Sequence, residues 1–123
     1  MSKTAGFQDT LRRLAIFDER LVEAGFGLGM AEPSALDART AALLQLGASV
    51  AIGSSAVCLQ WSAARALAAG ASKEEIADVL LAIAAVAGLG RVVSAAPKVA
   101  TALDYDVEAA LEAADDRAEG DPE

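Results

Sequence analysis

Apolar residues recur along this chain at helical rather than strand spacing. Alanine, leucine and glutamate dominate and no alternating run persists, so the pattern predicts an all-helical protein. A first helix is predicted over residues 8–24, with Leu11 and Leu14 on its apolar side and Arg12 and Arg13 largely on the other. The glycine-rich segment GFGLGMAEPS that follows is predicted to be a connector.

Capping residues and glycines mark the next two helices. Asp37 is a predicted N-cap, and its helix should run to a break at Gly53. A third helix is predicted from about Ser54 to Ala69, ending at Gly70, which can adopt the left-handed conformation of a helix C-terminus.

The second half of the chain has the clearest helix start. Ser72-Lys-Glu-Glu75 fits a capping box, and the helix it opens should end near Gly88 or Gly90. A fifth helix is predicted over 91–103, where Pro97 predicts a kink or a late helix start. After the turn DYD, a short helix over 107–114 should lead into a frayed acidic tail.

Together these elements predict a single-domain bundle of about six helices. Its parts are an N-terminal helix with a connector (1–35), a helical core (36–103), and a short helix with an acidic tail (104–123). The third and fourth helices are apolar around most of their circumference, more than a lone bundle of this size can bury. We therefore expect a homo-oligomer whose subunits share that surface.

Charge and composition limit the classes of partner that this chain is expected to bind. The formal net charge of −8 and the lack of a basic cluster argue against nucleic acid and against an anionic membrane surface. The uncharged stretch 41–64 raises a transmembrane interpretation, but several polar residues interrupt it and no basic flank anchors it. A single cysteine and the lack of a signal-peptide pattern lead us to expect a reducing cytoplasm.

The chain contains no histidine. An ordinary Ser-His or Cys-His pair is therefore ruled out, and a metal site would lack its commonest ligand. We expect neither a metal nor an organic cofactor, and any acid or base chemistry would fall to Asp, Glu, Lys, Tyr or Cys.

The order of motifs resembles a known family. The segments LDARTAALLQLGASVAIG, ARALAAG and ASKEEIADVLLAIAAVAGLGR, within residues 36–103, are similar to the carboxymuconolactone decarboxylase family, which includes the alkyl hydroperoxidase D type proteins. The most specific piece is ALAAGASKEEI, from Ala66 to Ile76. The resemblance implies an all-helical, alkyl hydroperoxidase D-like fold that assembles as a trimer or hexamer.

The redox branch of that family carries Cys-x-x-Cys-x-x-x-His on the equivalent helix. Counting back eight residues from Gly70 puts the histidine position at Ser62, and the two cysteine positions then fall at Cys58 and Ser55. The glutamate of that relay falls on Leu43, so only one of the four relay residues is present.

A second register for the relay places its three motif positions at Cys58, Trp61 and Arg65, but it breaks the spacing to Gly70. Either register removes the dithiol.

Ser55, Cys58, Leu59 and Ser62 are spaced three and four residues apart, which predicts that they share one face with Ala66 and could line a pocket. Cys58 is either a reactive thiol near a helix N-terminus or a small buried hydrophobic residue. Ser62 is either a weak nucleophile or a serine bonded to the carbonyl four residues earlier.

Trp61 and Arg65 are predicted to stack as a cation–π pair at a subunit contact. An anionic substrate would need cations, and the candidates are Arg39, Arg65 and Arg91. Arg91 is the strongest candidate because it follows the break GLG, where a helix begins. Each arginine could equally be solvated or interfacial.

Three functions follow from these residues and the resemblance. The first is a carboxymuconolactone decarboxylase-like protein, a lyase or a binding protein, that takes a small anionic organic molecule in a subunit-bounded pocket. The catalytic candidates are Cys58 and Ser62, and the binding candidates are Arg91, Arg65, Arg39, Ser55 and Trp61. The second is a thiol-dependent peroxidase with peroxiredoxin-type activity that uses Cys58. The third is a catalytically silent interaction protein.

Overall fold

A computed structural model describes residues 6–16 and 35–120 of the chain. The chain divides into two compact units, residues 1–35 and 36–123. In the first unit the described element is helix α1, Gly6–Ala15, on which Phe7, Leu11 and Leu14 form an exposed apolar stripe. Most of the predicted extension to residue 24, and the connector GFGLGMAEPS, lie outside the described residues.

The second unit is built from five helices, and the described residues contain no strand, which confirms the all-helical prediction. The helices are α2 (Ala38–Ala51), α3 (Ala56–Ala68), α4 (Lys73–Ala87), α5 (Leu89–Ala102) and α6 (Val107–Gly120). No helix in the described ranges is both long and apolar enough to cross a membrane.

Side chains cap four of these helices, α2, α3, α4 and α6. Asp37 accepts a hydrogen bond from the Thr40 backbone N–H at 2.7 Å at the start of α2, and bonding from Thr40 lowers the pKa of Asp37. Ser72 and Glu75 form the predicted capping box of α4, with bonds of 3.0 and 2.8 Å. Ser55 caps α3.

The core lies where α2 and α3 pack against α4 and α5. Leu46, Val50 and Ile76 are its largest fully buried side chains. Gly47 lets α2 and α4 approach closely, because a Cβ at that position would lie 3.2 Å from Ile83 Cγ2. The core thus fixes the relative positions of the turn after α2 and the helix α5, which frame the site described below.

Two predicted boundaries differ from the structure. Helix α5 begins at Leu89 and continues through Pro97, so the late start is wrong. Pro97 lacks one backbone donor, yet the helix continues through it, and Ala95 and Val99 on either side of it are buried in the core. Helix α6 continues to Gly120 where a frayed tail was expected, with Asp106 accepting a bond from the Ala109 N–H at 3.0 Å at its start.

Candidate functional site

A cleft of about 420 Å³ lies between the α2–α3 turn and one face of α5. It combines polar and charged side chains with a floor of apolar core residues. Its lining consists of Val50, Gly53, Ser54, Leu59, Ala87, Gly90, Arg91, Ser94, Ala95 and Lys98.

The turn that forms one wall of this cleft is a Schellman motif. The N–H of Gly53 donates to the carbonyl of Val50 at 3.1 Å, and the N–H of Ser54 donates to that of Ser49 at 3.0 Å. Gly53 has a φ of +73°, a left-handed conformation that favours glycine. The same motif ends α3, where Gly70 has a φ of +101°.

The charged wall of the cleft comes from α5. Arg91, Ser94 and Lys98 are spaced three and four residues apart and therefore point to one side of that helix. The Arg91 guanidinium lies directly on the backbone of Gly53: a Cβ at position 53 would overlap its Nη1 and lie 3.0 Å from its Cζ.

The cleft carries only positive side-chain charge among the described residues that line it. Two of these residues are cationic and none carries a carboxylate. Within the described part of the chain neither Arg91 nor Lys98 forms an ion pair. The first turn of α5, with Gly90 and Arg91, also lines the cleft, and its N-cap, Gly88, supplies no side-chain hydrogen bond. The positive end of the helix dipole therefore adds to the two side-chain charges.

The structure separates the residues of the predicted relay. Ser55 is the N-cap of α3, and its Oγ accepts a hydrogen bond from the Cys58 backbone N–H at 3.3 Å. Cys58 is exposed, so the interpretation of a buried hydrophobic residue is wrong. Leu59, Ser62 and Ala66 are buried in the core. The expectation that all five line one pocket is therefore wrong, because the buried face of α3 excludes Cys58.

Ser62 has a different partner from the one predicted. Its Oγ lies 3.5 Å from the Oγ of Ser49 on α2, with the hydroxyl of either residue as donor. The bond thus crosses between helices, whereas the sequence suggested a bond to the carbonyl four residues earlier on α3.

The other two candidate arginines lie outside the cleft. Arg39 pairs with Glu75 at 3.1 Å and so ties the start of α2 to the start of α4. Arg65 stacks over the ring of Trp61, 4.9 Å from its centroid, as predicted. Of the binding candidates named from the sequence, Arg91 alone lines the cleft.

Sequence reasoning missed four polar or backbone contributors to the cleft: Gly53, Ser54, Ser94 and Lys98. The spacing of Arg91, Ser94 and Lys98 was a usable signal, since it places three polar side chains on one helical face. Pro97 obscured that signal because it suggested a distorted helix in this region.

A second groove lies between α2 and α4 and is almost entirely apolar. Its volume is about 440 Å³, and its rim includes the exposed side chains of Leu44 and Val86. Exposed apolar side chains continue onto α5 at Leu89 and Val93. This surface confirms that a single copy of the chain leaves much of its apolar area uncovered.

The fold and the cleft define a small all-helical domain with a cationic cleft beside a glycine turn. The chain belongs to the carboxymuconolactone decarboxylase family, whose family model matches residues 17–102. The match covers α2 to α5 in full, so every residue that lines the cleft lies inside it. Comparisons with curated proteins and with solved structures gave no match.

Proposed function

We propose that this protein binds a small organic anion in the cleft between the α2–α3 turn and α5. The observation that carries the proposal is that Arg91 and Lys98 share a cleft in which no lining residue is acidic. Uncompensated cations in a concave site favour an anionic ligand. Membership of the carboxymuconolactone decarboxylase family supports a small carboxylated molecule as that ligand.

The lining residues suit different parts of such a ligand. Arg91 offers the planar fork that binds a carboxylate through two hydrogen bonds, while Lys98 offers a compact charge about 10 Å further along the helix axis. The hydroxyls of Ser54 and Ser94 can donate to the remaining oxygens. Val50, Leu59 and Ala95 supply an apolar surface for the carbon skeleton.

A lyase activity in this cleft would depend on Lys98. Arginine does not give up its proton in proteins, so among the described lining residues the ammonium group of Lys98 is the candidate general acid. In a decarboxylation of a dicarboxylate, Arg91 would hold the carboxylate that is retained, the other carboxylate would leave as CO2 with its bonding electron pair staying on carbon, and Lys98 would donate a proton to that carbanion. Lys98→Met should then abolish turnover of carboxymuconolactone while leaving an Arg91-dependent binding step.

We also propose that neighbouring copies of the chain cover the exposed apolar surface of α4 and α5, in a trimer or hexamer. Leu81 and Val86 are exposed on α4, and Leu89 and Val93 are exposed on the side of α5 that faces away from Arg91, so water would otherwise cover these apolar side chains. Light scattering after size exclusion tests this directly: a monomer at micromolar concentration would contradict it. We place the protein in the cytoplasm, where its one thiol would stay reduced.

Binding can be tested with adipate, a flexible dicarboxylate, against the uncharged adipamide as a matched control. Charge-assisted hydrogen bonds contribute about 1.5–3 kcal/mol, so Arg91→Ala should weaken adipate binding by about 10- to 100-fold in calorimetric titration. Arg65→Ala, which removes an arginine outside the cleft, should leave the affinity unchanged. Equal losses in both variants, or equal binding of adipate and adipamide by the wild-type protein, would contradict the proposal.

The exposure of Cys58 favours one alternative function, a thiol peroxidase. Its thiol lies in the first turn of α3 and is open to solvent, so a hydroperoxide could reach it. A hydroperoxide would oxidise the thiolate to a sulfenic acid and leave as the alcohol, and an added thiol would then reduce the sulfenic acid. Unchanged peroxide turnover in Cys58→Ser would exclude this activity.

A further inference from the structure

The backbone at Gly53 is in contact with the cation that would hold the ligand. A Cβ added there would overlap Nη1 of Arg91 and would approach Cζ to 3.0 Å and Nε to 3.7 Å. These three atoms belong to one guanidinium group, so the missing side chain of position 53 leaves the space in which that group sits.

Gly53 differs in this respect from the other left-handed glycines of the described chain. Gly70 and Gly88 have φ values of +101° and +92°, and a Cβ at either position would meet nothing within 4 Å. Gly70 is the closest match, because it also ends a helix in a Schellman motif. The positive φ alone therefore explains why position 70 is glycine. Position 53 has a second reason to be glycine, because the Arg91 side chain from α5 occupies the space of its Cβ.

We propose that Gly53 is the positioning residue for Arg91: its bare backbone seats the guanidinium inside the cleft and thereby sets the preference of the site for an anionic ligand. The inference rests on the proposed anion-binding function and deepens it. Arg91 is held by no ion pair within the described residues, so packing against the backbone of position 53 is the described contact that confines its charged end.

A methyl group added at position 53 would clash with the guanidinium of Arg91. The group in its way is the far end of a long, flexible side chain, so Arg91 would rotate away while the surrounding backbone stays in place. Gly53→Ala should therefore displace the charge without removing it. Adipate binding should weaken by about 5- to 10-fold, less than in Arg91→Ala, and the preference for adipate over adipamide should fall with it.

The decisive comparison is Gly53→Ala against Gly70→Ala, each made in the full-length chain. Both variants place a side chain at positive φ, and the strain is no smaller at Gly70, whose φ of +101° lies further from the left-handed minimum than the +73° of Gly53, but only the first variant meets Arg91. Gly70→Ala should keep adipate affinity within about 2-fold of wild type. In an Arg91→Ala background, Gly53→Ala should likewise change affinity by less than about 2-fold. Equal losses in both glycine variants, or an undiminished loss in that background, would overturn the inference.

A readout without ligand separates this inference from the proposed function. The Nε resonance of Arg91, assigned by its loss in Arg91→Lys, should shift in Gly53→Ala and stay in place in Gly70→Ala. A resonance that does not move in Gly53→Ala, or that moves equally in both variants, overturns the positioning role. A wild-type protein that bound no adipate would instead overturn the proposed function, while the Nε resonance would still decide whether Gly53 seats the guanidinium.

Discussion

Replacing Ser49 by alanine should destabilise the protein by about 1 kcal/mol, whereas replacing its partner Ser62 should leave stability almost unchanged. The two hydroxyls lie 3.5 Å apart, at the long end of the hydrogen-bond range, so their bond should contribute only about 0.5 kcal/mol. The asymmetry arises from burial: Ser62 is 8% exposed, and Ser49 is only partly buried. Removing Ser49 therefore leaves a buried hydroxyl without its partner, whereas Ser49 can bond to water.

Helix propensity opposes this loss of stability in each serine-to-alanine variant. Each serine lies inside a helix, where alanine is favoured by about 0.5 kcal/mol. In Ser62→Ala this gain offsets the lost hydrogen bond. In the double variant both alanines add helix propensity, the single Ser49–Ser62 hydrogen bond is lost, and no hydroxyl is left buried without a partner. The double variant should therefore be more stable than wild type by about 0.5 kcal/mol.

Urea unfolding followed by circular dichroism, at one fixed protein concentration for all four proteins, measures this cycle. The expected coupling between the two positions is about 1.5 kcal/mol. Additive effects would refute the reasoning, because they would show that the Ser62 hydroxyl finds another partner once Ser49 is gone. A loss of more than about 2 kcal/mol in Ser62→Ala would also refute it.

Three further predictions concern the caps, the thiol and the core. Hydrogen bonds from Thr40, with a smaller effect from Arg39, lower the pKa of Asp37. The ionised Asp37 carboxylate therefore stabilises the fold fully above the ordinary pKa of 3.8, and this stabilisation is lost as pH falls through the lower pKa of the folded state. Thermal unfolding of Asp37→Asn, which keeps the cap, should depend less on pH in this acidic range than thermal unfolding of the wild type. The Cys58 thiol should react with an aromatic disulfide reagent at a similar rate in native and urea-unfolded protein, and strong protection in the native state would contradict its exposure. Leu46→Ala, at a fully buried position, should cost about 3 kcal/mol in urea unfolding, whereas Leu44→Ala on the exposed side of the same helix should cost less than 1 kcal/mol in the monomer.

The sequence predicts best what depends on neighbours in the chain. The capping box of Ser72 and Glu75 and the cap at Asp37 each involve residues three apart, so their chemistry could be inferred without tertiary structure. The helix end at Gly70 is equally local. The cation–π pair of Trp61 and Arg65 also follows from helical spacing alone.

The cleft could not be predicted in this way because its parts lie far apart in the chain. Arg91 was a candidate, but nothing in the sequence shows that its side chain lies against Gly53. The face of α3 was misjudged for a geometric reason. Leu59 and Ala66 lie near the centre of the buried face, and Cys58, one residue from Leu59, is turned away from it by about 100°.

The place of Trp61 has a practical consequence for measurements on this protein. It is the chain's one tryptophan, the residue is 60% exposed, and the Arg65 guanidinium lies over its ring. Its fluorescence should therefore be red-shifted in an isolated subunit and should change little when the core unfolds. A blue shift that grows with protein concentration would instead report that another surface has covered α3, which makes the emission colour an intrinsic gauge of subunit association.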